Sequence, residues 1–338
     1  MKTSTLPRIA LLLGDPCGIG PEIVAKLMAA PSTQDCAKVL LVGSEAVWSQ
    51  GAATAQVDLS VSVVDELPKN WASEPGITLL NDASFNGHPF IPGVASAEGG
   101  EYVLTTSRVA LELAQQKQVD GLCFAPFNKQ AMHLAGSPFE DDLRYFAHVL
   151  EFDEYVGELN VLDDLWSARV TSHVPLREVA ELITPEAIEA AVILVHDALI
   201  KAGTVTPRIA VAALNPHAGE GGLFGNEEID VIEPIVTQLA SSINVSGPYP
   251  SDTVFLKAQA KEVDAVVTMY HDQGQVAMKL MGFSRGVTVH GGLPVIVTTP
   301  AHGTAFDIVG QSKADKRALT NAFQLACRMA SARGGRIN

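Results

Sequence analysis

Short apolar runs, rich in leucine and β-branched residues, alternate along the chain with longer alanine-rich stretches whose apolar positions recur at helical spacing. The runs at 9–13, 39–42, 121–125, 168–171, 209–213, 265–269 and 295–298 predict strands. The stretches 21–29, 101–118, 185–202, 227–241 and 316–332 predict helices. The strand runs are apolar throughout instead of alternating, which is the pattern of a sheet covered on both faces. Strands alternating with helices in this way give an α/β fold with a largely parallel core. Thr184 and Pro185 mark one helix start, a cap followed by proline in the first turn, and Gly203 marks its end.

The length, 338 residues, suits two lobes or one large α/β unit, and 47% hydrophobic residues provide a substantial core. Lys and Arg number 23 against 38 Asp and Glu, a net charge of −15. A chain this acidic, without a dense basic run, is not expected to bind nucleic acid. Cys17, Cys36, Cys123 and Cys327 stand far apart with no CxxC pair, the pattern of free thiols in a reducing compartment. The N-terminal apolar stretch is five residues long and runs into a Gly-Pro turn, so it predicts a buried strand and not a secretory signal. No apolar segment has the length of a membrane span, and the expected location is the cytoplasm.

Chemistry-bearing residues collect after the apolar runs. The glycines of Gly14-Asp15-Pro16-Cys17-Gly18-Ile19-Gly20-Pro21-Glu22 have the wrong spacing for a dinucleotide fingerprint, leaving either a tight turn or a loop that approaches a ligand. Three later runs share one syntax, a strand followed by histidine: Val170-Thr171-Ser172-His173, Leu214-Asn215-Pro216-His217 and Met269-Tyr270-His271-Asp272. A single such histidine is ordinarily a hydrogen-bonded loop residue. Three of them suggest a divalent-metal site with open positions for substrate oxygen. Gly247-Pro248-Tyr249-Pro250-Ser251-Asp252-Thr253 is a proline-set loop carrying a carboxylate, and Lys279 and Arg285 are cations near His271 in sequence. After the last run, Pro300-Ala301-His302-Gly303-Thr304-Ala305-Phe306-Asp307 offers glycine, a hydroxyl and a carboxylate suited to a ribose diol.

Along nearly the whole chain these segments resemble the 4-hydroxythreonine-4-phosphate dehydrogenase (PdxA) family. The matches are GDPCGIGPEI, SHVPLREVAELITP, LNPHAGEGGLFGNEEID, GPYPSDTVF, MYHDQGQVAMK and AHGTAFDIVG, in family order. The last also resembles a loop of isocitrate and isopropylmalate dehydrogenases. The resemblance implies a two-lobed α/β fold of that dehydrogenase type and not a Rossmann domain. One lobe, the NAD side, would comprise residues 1–128 and 292–338, the other residues 129–291 with the metal and the dimer contact, and the active site would lie in the cleft. It further implies a homodimer with a shared active site and one divalent metal on His173, His217 and His271. Zinc is favoured, with cobalt, nickel, manganese and magnesium as alternatives. NAD would lie on His302, Gly303, Thr304 and Asp307, and Asp252, Asp272 and Lys279 would form the acid–base set. The implied chemistry is NAD-dependent oxidation of a secondary alcohol with decarboxylation.

The sequence departs from the family where the phosphate substrate is held. The family's Gly-His-Thr-Glu segment after Pro-Phe reads Asp141-Asp142-Leu143-Arg144, its Asn position reads Thr288 and its Arg position reads Val297, while Lys279 is kept. Each missing charge-assisted donor costs on the order of 1.5–3 kcal/mol. The expected substrate is therefore a non-phosphorylated small carboxylate of the terephthalate dihydrodiol type, contacted by Lys279, Arg144 and Thr288. The alternatives are 4-hydroxythreonine-4-phosphate oxidation in pyridoxal phosphate biosynthesis and a non-catalytic metal- or metabolite-binding homologue.

Overall fold

The computed structural model describes residues 6–334. Its strands are β1 (Arg8–Leu12), β2 (Lys38–Gly43), β3 (Ser62–Val64), β4 (Thr78–Asn81), β5 (Gly121–Phe124), β6 (Gly157–Leu162), β7 (Leu165–Arg169), β8 (Ile209–Ala212), β9 (Val245–Tyr249), β10 (Ala265–Thr268), β11 (Val287–Gly291) and β12 (Val297–Pro300). The chain divides into two units. One runs to Asp153 and resumes at Leu293, and the other is Glu154–Gly292. The 129–153 stretch expected in the second lobe packs with the first, because its helices Lys129–Leu134 and Asp142–Val149 lie on the long helix Ala97–Gln115.

In the first unit the strand order is β3-β4-β2-β1-β5-β12, parallel throughout. β1, β2 and β5 are apolar and buried, as a sheet with two covered faces requires. In the second unit the order is β11-β6-β7-β10-β8-β9. There β7, β10, β8 and β9 run parallel, and β6 is antiparallel to both β11 and β7. The two units share one device at the amino ends of their strands. Arg8 clamps Asp120, just before β5, through its backbone N–H, Nε and Nη2, and Arg208 clamps Asp264, just before β10, with the same three donors. A bidentate guanidinium–carboxylate fork fixes the stagger of neighbouring strands.

Every expected strand is present within about three residues at either end. Five more exist, and each breaks the apolar-run rule. β3 is three residues long and mostly exposed, β4 is four residues, β9 carries Gly247 and Pro248, and β6 and β11 alternate polar with apolar. The expected helix 227–241 divides into a π-type turn, Glu228–Ile232, and the helix Glu233–Leu239, because Pro234 has no N–H to continue a regular ladder. The segment after β10, expected as a loop, is the helix His271–Gly282, whose sparse apolar residues hid it. All four cysteines are free. Among the described residues no helix is long and apolar enough to cross a membrane.

Candidate active site

In the second unit, β7, β10, β8 and β9 are successive neighbours and parallel, so their carboxyl ends form one edge. His173 follows β7, His271 follows β10, His217 follows β8 and Asp252 follows β9. Adjacent strands are about 4.8 Å apart, so His173 and His271, 98 positions apart in sequence, and His271 and His217, 54 apart, emerge on neighbouring strands. Ligands in open α/β sheets are bound at this carboxyl edge. The rings of His173 and His271 stand with centroids 5.6 Å apart.

Hydrogen bonds between strand ends lock the loops. Thr171 bonds the Met269 carbonyl through both its N–H (3.0 Å) and its hydroxyl (2.8 Å). The Gln273 side chain accepts from Met269 N–H at 2.8 Å and donates to the Ala213 carbonyl at 2.9 Å, tying the end of β10 to the end of β8. Buried Glu228 accepts from the backbone N–H groups of Leu214 and Asn215 and from Asn215 Nδ2, holding the His217 loop from beneath. That loop is unusual: His217, Ala218, Gly219, Glu220 and Gly221 all have positive φ. His173 is also left-handed, at φ 53°. Such conformations cost non-glycine residues on the order of 1 kcal/mol each and persist where surrounding bonds fix them, commonly at functional sites.

His271 Nδ1–H donates to the Asp272 carboxylate at 2.7 Å, which orients the ring and leaves Nε2 for a ligand. Two exposed imidazoles, His173 and His217, and a half-buried one, His271, beside a carboxylate suit a divalent cation in kind. Among the described residues no three His, Cys, Asp or Glu side chains form a ready metal-binding group. The ring of His217 stands instead beside Phe224, centroids 6.2 Å apart. Asp252 and Lys279 are exposed, Lys279 two turns into the helix that His271 begins. Thr288 is half-buried on β11 and lies 3.4 Å from Asn160 Nδ2.

In the first unit the glycine-rich turn after β1 packs against the 302–308 segment. Gly18 meets Thr304 so closely that a Cβ would come within 2.8 Å of the threonine Cβ, and Ile19 N–H donates to the Thr304 carbonyl at 3.0 Å. The tight-turn reading of this motif therefore holds for Gly18, whose bare backbone lies against protein. Thr304 is 7% exposed and anchors the segment, whereas Gly303 and Asp307 are exposed and His302 is half-buried, its Nδ1 near the Gly303 carbonyl at 3.0 Å. The left-handed residues of the turn are Ala305 and Gly310, not Gly303.

Arg144 belongs to the first unit, where its guanidinium lies 3.7 Å from Glu140 and 3.5 Å from Asp141. Asp141 caps the helix Asp142–Val149 by accepting from Arg144 N–H. Leu143 is fully buried. These four positions thus serve helix initiation and core packing. Glu228, Gln273, Asn160 and Arg169 had no role assigned from sequence. The signal that marks two of them is polarity inside strands, Asn160 in β6 and Arg169 ending β7.

A family model described as pyridoxal phosphate biosynthetic protein PdxA matches residues 34–326. A Pseudomonas aeruginosa protein named "Putative 4-hydroxythreonine-4-phosphate dehydrogenase 2" is 48% identical over 97% of this chain and 98% of its own length. The crystal structure of 4-hydroxythreonine-4-phosphate dehydrogenase from Klebsiella pneumoniae is similar at a TM-score of 0.84, with 34% identity over 98% of this chain and 100% of that one. That of a terephthalate 1,2-cis-dihydrodiol dehydrogenase from Burkholderia xenovorans is similar at 0.67, with 30% identity over 96% and 98%.

Proposed function

The chain belongs to the PdxA family and is an oxidoreductase, and on that premise we propose that it oxidises the secondary alcohol of a small phosphorylated acid such as 4-hydroxythreonine 4-phosphate, with NAD and a divalent cation. The observation that carries the reading is the arrangement of His173, His271, His217 and Asp252 on the ends of four neighbouring parallel strands. The similarities reverse the order of substrates expected from sequence. Proteins named for the phosphorylated acid match this chain at 48% identity and at a TM-score of 0.84, the dihydrodiol dehydrogenase at 30% and 0.67.

His173, His217 and His271 would hold the cation, and the 302–307 segment would receive the dinucleotide. When bound, the cation supplies Lewis acidity at the substrate hydroxyl and NAD accepts the hydride. The chain's own residues supply the rest. Asp272 orients the His271 ring, Glu228 holds the His217 loop, and the exposed Asp252 carboxylate takes the hydroxyl proton. Lys279 pairs with the substrate's anionic end. Oxidation of an alcohol on the carbon next to the carboxylate-bearing carbon leaves a β-keto acid, which loses CO₂ to give an enolate that takes up a proton.

Leu176, Leu223, Leu256 and Leu280 are 71%, 73%, 61% and 84% exposed, and each lies a few residues from His173, His217, Asp252 or Lys279. Exposed leucines around these loops support a second copy of the chain covering this edge in a homodimer. A second substrate reading, a carboxylated cis-dihydrodiol, is favoured by one observation: Asp141 to Arg144 offer a buried leucine and two acids where a phosphate calls for donors.

Removing divalent metal with a chelator should abolish NADH formation, and adding back zinc, cobalt or manganese should restore it. Undiminished turnover in rigorously metal-free protein would reject the metal-dependent reading.

A further inference from the structure

One face of the second unit's sheet is polar although a helix covers it. Register places Asn160 opposite both Thr288 and Ser167, Glu158 opposite His290 and Arg169 opposite Thr268, so these side chains project from the same face of β11, β6, β7 and β10. The helix His271–Gly282 lies on that face. Gly274 lets it approach so closely that a Cβ there would stand 3.1 Å from both Ser167 Oγ and Thr268 Oγ1. An apolar face would cover a sheet at no desolvation cost, and a buried ion pair rarely improves on well-packed hydrophobic residues. Stability alone does not account for this face.

Its hydrogen bonds converge on Arg169, whose side chain is 8% exposed. Nη2 donates to Glu158 Oε2 at 2.6 Å, Nη1 to Asn160 Oδ1 at 2.8 Å and Nε to Ser172 Oγ at 2.8 Å. Asn160 Oδ1 also accepts from Gln275 Nε2, one turn beyond His271 on the covering helix. Ser172 is the residue before His173. A continuous chain of bonds thus runs from the His173 loop through Arg169 and Asn160 to the helix that begins at His271.

We propose that Arg169 is a positioning residue: with Asn160 it fixes the spacing of the His173 and His271 rings, so that the pair is set before any cation arrives. The inference rests on the reading of these histidines as cation ligands. Arginine suits the task because its planar fork fixes three acceptors at once, which a lysine ammonium on a flexible stem does not do.

The test is the affinity of the purified full chain for Co²⁺, followed by calorimetry and by the cobalt absorption bands, alongside thermal unfolding. Arg169→Met and Arg169→Lys should each bind Co²⁺ about 10- to 100-fold more weakly with altered bands, the scale at which groups orienting a ligand act. Gln275→Met, which cuts the chain without leaving Glu158 unpaired, should weaken binding several-fold at nearly unchanged melting temperature, and it answers for Arg169 if that variant does not fold. Arg208→Met, a break in the clamp at the other end of the same sheet, should lower the melting temperature and leave Co²⁺ affinity unchanged. If the unaltered protein binds Co²⁺ tightly and folded Arg169→Met and Gln275→Met bind it equally well, the positioning role is overturned while the metal reading stands. If the unaltered protein itself fails to bind Co²⁺, both fall.

Discussion

His173 and His271 are 98 positions apart in sequence, and their rings meet at 5.6 Å between centroids. The cause is register: Arg169 pairs with Thr268 across parallel β7 and β10, and each strand carries its histidine three or four residues beyond that pair. On the proposed reading these two imidazoles, delivered to one edge, form a chelating pair whose aim depends on the bonds behind them.

Replacing His271 by alanine should therefore lower divalent-metal affinity by at least two orders of magnitude and abolish NADH formation. Asp272→Asn, which removes only the carboxylate facing Nδ1, should cost about 10- to 100-fold in affinity. Titration of both variants with Co²⁺ distinguishes the two effects. Equal losses would contradict the separate roles of ligand and orienting carboxylate.

Glu228 is the support of the His217 loop. In Glu228→Ala the N–H groups of Leu214 and Asn215 lose their buried acceptor, which should cost about 3 kcal/mol in denaturant unfolding. Glu228→Gln keeps one acceptor oxygen and should lose less stability. Both should reduce kcat more than they raise KM for NAD, since the loop they hold carries His217 and not the 302–307 segment proposed to receive the dinucleotide.

Gly18→Ala would push a methyl group to within 2.8 Å of Thr304 Cβ and displace the 302–308 segment. The expected result is a raised KM for NAD, about tenfold, with Co²⁺ affinity unchanged, because the affected residues lie in the other unit from the histidines. Unchanged KM for NAD would remove the assignment of that segment to the cofactor.

Much of this was legible before the structure. The apolar runs gave the parallel strands, and the repeated strand-then-histidine syntax gave the residues at one edge, since a buried parallel strand must end in a loop at its carboxyl end. That β7, β10 and β8 are neighbours was not legible, because spatial order is set by crossover connections that leave no periodicity. Arg169, Asn160 and Glu228 escaped notice for a different reason. A buried polar residue looks in sequence like an exposed one, and only its partners reveal which it is. That the 129–153 segment packs with the first unit is not legible in the sequence, because no compositional change marks where the chain crosses.

Asp15 gives a pH dependence. It is fully buried, its Oδ1 accepts from Cys17 N–H at 2.8 Å and its Oδ2 has no hydrogen-bond partner. Burial raises its carboxyl from 3.8 to about 6, which the Cys17 N–H only partly offsets. A raised carboxyl weakens the fold once ionised, so its cost is absent below pH 3.8 and complete above about pH 6, amounting to about 3 kcal/mol. Asp15→Asn keeps the bond to Cys17 and should melt higher than the unaltered protein at pH 8. The gap should narrow as pH falls from 7 to 4, and a gap independent of pH would refute the assignment.

The proposed reaction and its substrate can be tested together. The most direct measurement is NADH formation by metal-loaded protein, comparing kcat/KM for 4-hydroxythreonine 4-phosphate with that for a carboxylated cis-dihydrodiol. The expected result is metal-dependent turnover of the phosphorylated acid, with kcat/KM at least a hundredfold above that for the dihydrodiol. Efficient oxidation of the dihydrodiol with none of the phosphorylated acid would contradict it.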